Sequence, residues 1–107
     1  MKNMIQEAPD VADAFFAMTR AVKKASPLDE RTNELVLVGI FAACRGLRGI
    51  VTHVERAREH GATREEIVAA ILLALPVVGV TDVNLALDRA IAVLDASAEG
   101  NGGEEDH

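Results

Sequence analysis

An all-α fold, a bundle of about five helices, is what this sequence predicts, and three observations predict it. Half of its 107 residues are hydrophobic, yet only three are aromatic and all three are Phe. The interior must therefore be assembled from Ala, Val, Leu and Ile at the close spacing of packed helices, not in a sandwich or barrel. Apolar residues recur at helical intervals in each long segment, and between those segments stand Pro, Gly and capping residues that stop one helix and start the next. A chain of this length is a single domain, placed at 1–96, and one this small buries a limited share of its surface unless partner subunits cover it.

Pro9 and Asp10 open the first helix, in which Val11, Ala14, Phe15, Met18, Ala21 and Val22 recur at helical spacing. The Lys23-Lys24 pair suits its C-terminus. Ser26-Pro27-Leu28 interrupts the chain, and Asp29 caps the second helix. The run from Glu34 to Cys44, ELVLVGIFAAC, is apolar on every side after its one acid. That helix is expected at the centre of the bundle, buried all round. In Arg45-Gly46-Leu47-Arg48-Gly49 the two glycines weaken helix and permit a sharp connection. The third helix runs to His60 and stops at Gly61, with Gly49, Ile50, His53, Val54 and Ala57 on one stripe and Glu55, Arg56, Arg58 and Glu59 outside it. Thr63 and Glu66 form the capping-box pattern that opens the fourth helix; Pro76 kinks or shortens it and Gly79 ends it. The last helix begins near Thr81 or Asp82 and carries Val83, Leu85, Ala86, Leu87, Ala90, Ile91, Val93 and Leu94. From Ser97 the composition changes to SAEGNGGEEDH, too poor in apolar side chains to offset the entropy of ordering, so 97–107 is expected to be a disordered, acidic, Gly-rich tail.

The formal charge of −6 and the scatter of basic residues among acids would repel a phosphate backbone, which argues against nucleic acid as a partner. Gly61 to Ile71, GATREEIVAAI, has the outline of a helix-turn-helix entry, but no basic recognition helix follows and a capped helix start is the simpler reading. The opening MKNMIQEAPD has no continuous apolar run, so no secretory signal is read there and a cytoplasmic protein is expected. Ile67 to Thr81 is uncharged but contains Pro76 and Gly79 and is too short for a bilayer. It is read as a buried or interface helix, with no membrane partner. The single Cys44 rules out an intrachain disulfide and a multi-cysteine zinc site, and no two His residues have ligand spacing. No metal and no cofactor is expected. His60 reads as a helix-terminal residue favoured by the dipole, and His107 belongs to the tail.

Two polar residues stand on faces that the pattern marks as buried: Glu34 on the second helix and His53 on the third. Consecutive helices joined by a short connection pack antiparallel, which can bring the two together. A carboxylate beside an imidazole orients the ring, fixes its tautomer and equips it for acid or base work. The alternative is that each is simply a core polar group satisfied by a partner. Arg45 and Arg48 stand at the connection, as substrate-carboxylate ligands or as solvated surface charges.

In SPLDERTNEL, ELVLVGIFAAC, THVERAREHGATREEIVAAI and the Gly-Val segment before the last helix, the chain resembles the carboxymuconolactone decarboxylase and alkylhydroperoxidase AhpD-like family. In the AhpD-like branch a Glu lies twelve residues before the first Cys of a Cys-x-x-Cys pair and a His lies four after the second. Counting from Glu34 sets those cysteines at Gly46 and Gly49 and the His at His53, so Glu and His match in register while both thiols are absent. The peroxidase branch's His between its cysteines is Arg48 here. A dithiol peroxidase needs one thiolate to attack and a second thiol to resolve the sulfenate, and glycine supplies neither. Cys44 is two residues before the first slot, about 200° away around a continuous helix, and is read as a small core residue, with peroxidase-type activity through this lone thiol as a minor alternative. The resemblance leans to the decarboxylase branch, through His53-Val54-Glu55-Arg56-Ala57 and Gly61-Ala62-Thr63-Arg64-Glu65-Glu66-Ile67. It implies a cofactor-independent lyase acting on a small carboxylated lactone or related acid, with His53 as proton donor and Glu34 as its orienting partner. It also implies a homotrimer or homohexamer, with Leu72, Leu75 and Val78 between subunits. The rival reading is a redox-inactive helical oligomer serving as a scaffold or binding module; a third is an enzyme of other specificity using the same His.

Overall fold

A computed structural model describes the backbone of residues 1–105 and the side chains of residues 1–97, and each of its seven regular elements is a helix. In order they are α1 (Lys2–Glu7), α2 (Pro9–Ala25), α3 (Glu30–Ala43), α4 (Leu47–Glu59), α5 (Arg64–Leu72), α6 (Leu75–Val78) and α7 (Val80–Glu105). The fold is all-α and AhpD-like, and its five longer helices are the five expected. α1 is an addition, and α6 is the detached end of the expected fourth helix, restarted with Pro76 in its first turn. The tail expected over 97–107 falls almost wholly outside the described side chains, although the bounds of α7 run through most of it.

Local chemistry sets the boundaries. Asp29 Oδ1 accepts the Thr32 amide at 2.8 Å and starts α3, and that bond from the backbone holds the Asp29 carboxyl below its ordinary range. Thr63 Oγ1 accepts from the Glu66 amide at 3.1 Å while Glu66 Oε1 accepts from the Thr63 amide at 2.9 Å, completing the capping box of α5. α4 ends in a left-handed Gly61 (φ 89°), and the Ala62 amide reaches back to the Ala57 carbonyl at 2.9 Å.

The core lies among α3, α4, α5 and α7. Val38 and Ala42 of α3, Ile50, Val54 and Ala57 of α4, Ile67 and Ile71 of α5, and Val83, Ala86, Ala90 and Leu94 of α7 are buried. Each set follows the three-and-four spacing of one helix face. Ion pairs tie α7 to its neighbours: Arg45 Nε to Asp82 Oδ1 at 2.6 Å and Arg64 to Asp95 at 2.9 Å.

Two expectations are corrected. α3 is not buried all round, because Val36 and Ile40 face outward into an open groove shared with α5 and α6. Among the described residues no helix covers that side: α2 packs chiefly on α1, and of its side chains only Ala12 is buried. Cys44 is not a core residue either; it caps the C-terminus of α3 and is exposed. Among the described residues no helix is long and apolar enough to cross a membrane.

Candidate functional site: a buried carboxylate between a lysine and a histidine

Glu34 lies in the second turn of α3, on the face that carries Val38 and Ala42 one and two turns later, and none of it is exposed. α4 runs back along that face and places His53 beside it, with Nδ1 2.5 Å from Glu34 Oε2. The other oxygen is also taken: Lys23 Nζ, from the last turn of α2, donates to Oε1. The His53 side chain is 13 % exposed and that of Lys23 29 %.

Burial works to raise the Glu34 carboxyl, but the hydrogen bonds from Lys23 and His53 and the charges behind them outweigh it and hold the group below the ordinary carboxylate range. At neutral pH it is ionised and can only accept, so Nδ1 is the donor and carries the hydrogen. Nε2 has no hydrogen-bond partner among the described residues and is not wholly buried. The imidazole is thus held at one end and available at the other.

Phe41 closes one side of this arrangement. It is half-buried on α3, two turns beyond Glu34, and stacks on the His53 ring with centroids 5.2 Å apart and planes 13° from parallel. Its position depends on both glycines of the connection: a Cβ on Gly46 or on Gly49 would stand 2.4 Å from Phe41 Cδ1. Neither glycine supplies the turn itself. That is made by Arg45, the one described non-glycine residue with positive φ, at 60°. The phenyl ring therefore fills the room at the two positions where the AhpD-like register would set cysteines.

The remaining candidates make no hydrogen bond or ion pair with the imidazole. Arg45 turns to Asp82 at the start of α7, and Arg48 is exposed with no side-chain partner among the described residues. Cys44 Sγ contacts the Phe41 carbonyl oxygen at 3.8 Å. His60 lies 3.9 Å from Glu30 across the ends of α4 and α3. Among the described residues no group of three or more His, Cys, Asp or Glu is placed to hold a metal ion. The groove of about 530 Å³ between α3 and α5 is lined almost entirely by apolar side chains, and neither Glu34 nor His53 is in its wall.

Sequence reasoning finds Glu34 and His53 but misses Lys23 and Phe41. The signal for Phe41 is its seven-residue offset from Glu34, which sets it on the same face of α3. For Lys23 it is the short Ser26–Asp29 joint, which keeps the end of α2 within a lysine's reach of Glu34 on α3.

Helices α3 and α4 thus hold a buried carboxylate against an imidazole in an all-α fold. The model of the Carboxymuconolactone decarboxylase family matches residues 9–92, and the chain belongs to that family. It is also similar to "Uncharacterized protein 4 in cox locus" of Paracoccus denitrificans, with 35 % identity over 86 residues that span 79 % of this chain and 76 % of that protein.

Proposed function

We propose that the protein is a cofactor-independent, carboxymuconolactone decarboxylase-like enzyme acting on a small carboxylated lactone or related acid. The observation that carries this is the His53 ring, held through Nδ1 by an ionised, buried Glu34 while Nε2 is left for substrate. Loss of carbon dioxide leaves an electron pair to be drawn into the substrate's own carbonyl system and one carbon in need of one proton. The bare Nε2 first takes up a proton from solvent, giving an imidazolium whose Nδ1–H stays on Glu34, and then delivers that proton to the carbon as the ring returns to its neutral, Nδ1-protonated form. Arg48, exposed at the start of α4 and without an ion-pair partner among the described residues, offers a cation for a substrate carboxylate, whereas Arg45 must leave Asp82 to serve. The working form is a homo-oligomer, three or six copies, and the cytoplasm is its compartment.

One observation favours a second reading, a redox-inactive oligomer that binds or scaffolds: Phe41 lies flat on the imidazole and the open groove is elsewhere. Ultraviolet-monitored turnover of 4-carboxymuconolactone separates the two. The decarboxylase reading expects turnover by the parent that falls by about 10²–10⁴-fold in His53→Ala, the range for losing a general acid, and by roughly 10–100-fold in Glu34→Gln, the range for losing an orienting partner. Both variants must first show the parent's helical circular dichroism. Absence of turnover by the parent removes the assignment and leaves the scaffold or another substrate.

A further inference from the structure

Glu34 offers two carboxylate oxygens inside the protein, and each has one donor: Lys23 on Oε1 and His53 on Oε2. We propose that Lys23 is a positioning residue of the site, which by occupying Oε1 commits Oε2 to His53 Nδ1 and so keeps the imidazole in the tautomer that presents Nε2 without a fixed hydrogen. The consequence for turnover rests on the decarboxylase reading; the tautomer itself does not.

The argument begins with what Glu34 does when Lys23 is taken away. A fully buried carboxylate that loses the donor to one of its oxygens is costly. The least costly remedy is to take up a proton. A protonated carboxyl donates, and its nearest acceptor is His53 Nδ1. The bond then reverses and the ring's hydrogen moves to Nε2. With Lys23 in place that reversal is opposed by a full positive charge against Oε1.

The joint between α2 and α3 holds Lys23 at this post. Ser26 Oγ donates to Asn33 Oδ1 at 2.7 Å and accepts the Leu28 amide at 3.2 Å, and Asn33 Nδ2 donates to the Leu28 carbonyl at 3.4 Å. Asp29 caps α3 one residue further on, and Asn33, buried beside Glu34, is the inner anchor of this small network. Exposed ion pairs contribute little, but this one has a partner with no exposure at all. Lys24, the next residue, makes no ion pair among the described residues and serves as an internal control.

The test is a long-range ¹⁵N–¹H spectrum of the histidine rings in the labelled full chain, with His60 and His107 assigned by substitution. At a pH where the His53 ring is neutral, the parent should show Nδ1 protonated and Nε2 bare. Lys23→Met should shift the majority to the Nε2-protonated form, Lys23→Arg should restore the parent pattern, and Lys24→Met should leave it unchanged. In turnover of 4-carboxymuconolactone, Lys23→Met should lose about tenfold or more in kcat with KM little changed, as for loss of an outer orienting partner. If Lys23→Met does not fold, Lys23→Leu, which likewise leaves Oε1 without its donor, should show the same shift. A Nδ1-protonated ring in the folded Lys23 variant, or a parent ring protonated on Nε2, overturns the proposal, even where the parent turns over. A tautomer shift in a parent with no turnover upholds the positioning role and removes only the decarboxylase reading.

Discussion

The Glu34 carboxyl is where sequence, burial and charge meet, and its ionisation carries a sign that can be tested. Its folded value is depressed by Lys23 and His53, whereas in the unfolded chain it returns to an ordinary value near 4.5. A group depressed on folding stabilises the native state above its unfolded value, and that contribution is lost as pH falls through the lower, folded one. Glu34→Gln should therefore be less stable than the parent at pH 7, by about 1–3 kcal/mol for hydrogen bonds to a charged group. The gap should narrow as pH drops from the ordinary carboxylate range downward. Urea melts of both proteins at pH 7, 4 and 3 measure it, and a gap that stays constant across them would deny the ionised carboxylate any stabilising part. At this scale Glu34 and His53 were legible in the sequence because a polar residue on an otherwise apolar helix face has few reasons to be there. Lys23 was not. Its position satisfies the ordinary preference of cations for helix C-termini, and periodicity describes a residue's own helix but not the oxygen across the joint.

Among the elements, α3 meets the start of α4 where Phe41 packs over Gly46 and Gly49. Sequence punctuation is legible at Asp29, at Thr63 with Glu66 and at Gly61, where the signal is local and the hydrogen bond that explains it lies within a few residues. Gly46 and Gly49 have the local signature of turn formers, yet Gly49 lies inside α4 and the left-handed residue is Arg45. Their work is to let a ring from the neighbouring helix approach, a long-range fact that no local rule contains. A Cβ on Gly49 would meet Phe41 Cγ at 2.6 Å as well as Cδ1 and Cε1, so spinning the ring about its own axis gives no relief and the side chain must leave its rotamer. Gly49→Ala should thus cost about 1–3 kcal/mol by overpacking, more than the roughly 1 kcal/mol that alanine gains by helix propensity. In a Phe41→Ala background the clash is absent and the same change should be neutral or stabilising. A double-mutant cycle by urea melts checks the coupling, and equal effects of Gly49→Ala in both backgrounds would mean that Phe41 is not what the glycine accommodates.

For the whole molecule the question is what the single chain leaves uncovered. Its radius of gyration is 15.3 Å, against about 13 Å for a compact chain of this length, and the excess comes with an α2 that packs chiefly on α1 and with the long α7. α2 carries Val11, Phe15, Met18 and Val22 on exposed positions, Val22 at 62 %. The groove on the other side of the site shows Val36, Ile40, Leu73 and Val77, the last at 78 %, and the expected interface residues Leu72 and Leu75 are exposed beside it, whereas Val78 packs against the core. The amount of apolar sequence was legible, as was the need for something to cover it; the identity of the open faces was not, because an amphipathic pattern does not distinguish a stripe that meets its own chain from one that meets another. Apolar surface of this extent on so small a domain favours self-association. The trimer or hexamer proposed above should scatter light at three or six times the chain mass of 11.4 kDa, and should do so across a dilution series at micromolar concentration. Phe15→Glu and Leu73→Glu each set a charge in one of the two faces and should shift the mass toward the single chain, because an unpaired charge in an apolar contact is not tolerated. Since Lys23 rides on the same helix as Phe15, dissociation by Phe15→Glu should also weaken the hold on Glu34, and the His53 tautomer should move with the mass. A parent that stays monomeric through the series would remove the oligomer and this coupling with it, leaving α2 fastened to the body through Lys23 and the Ser26–Asn33 joint.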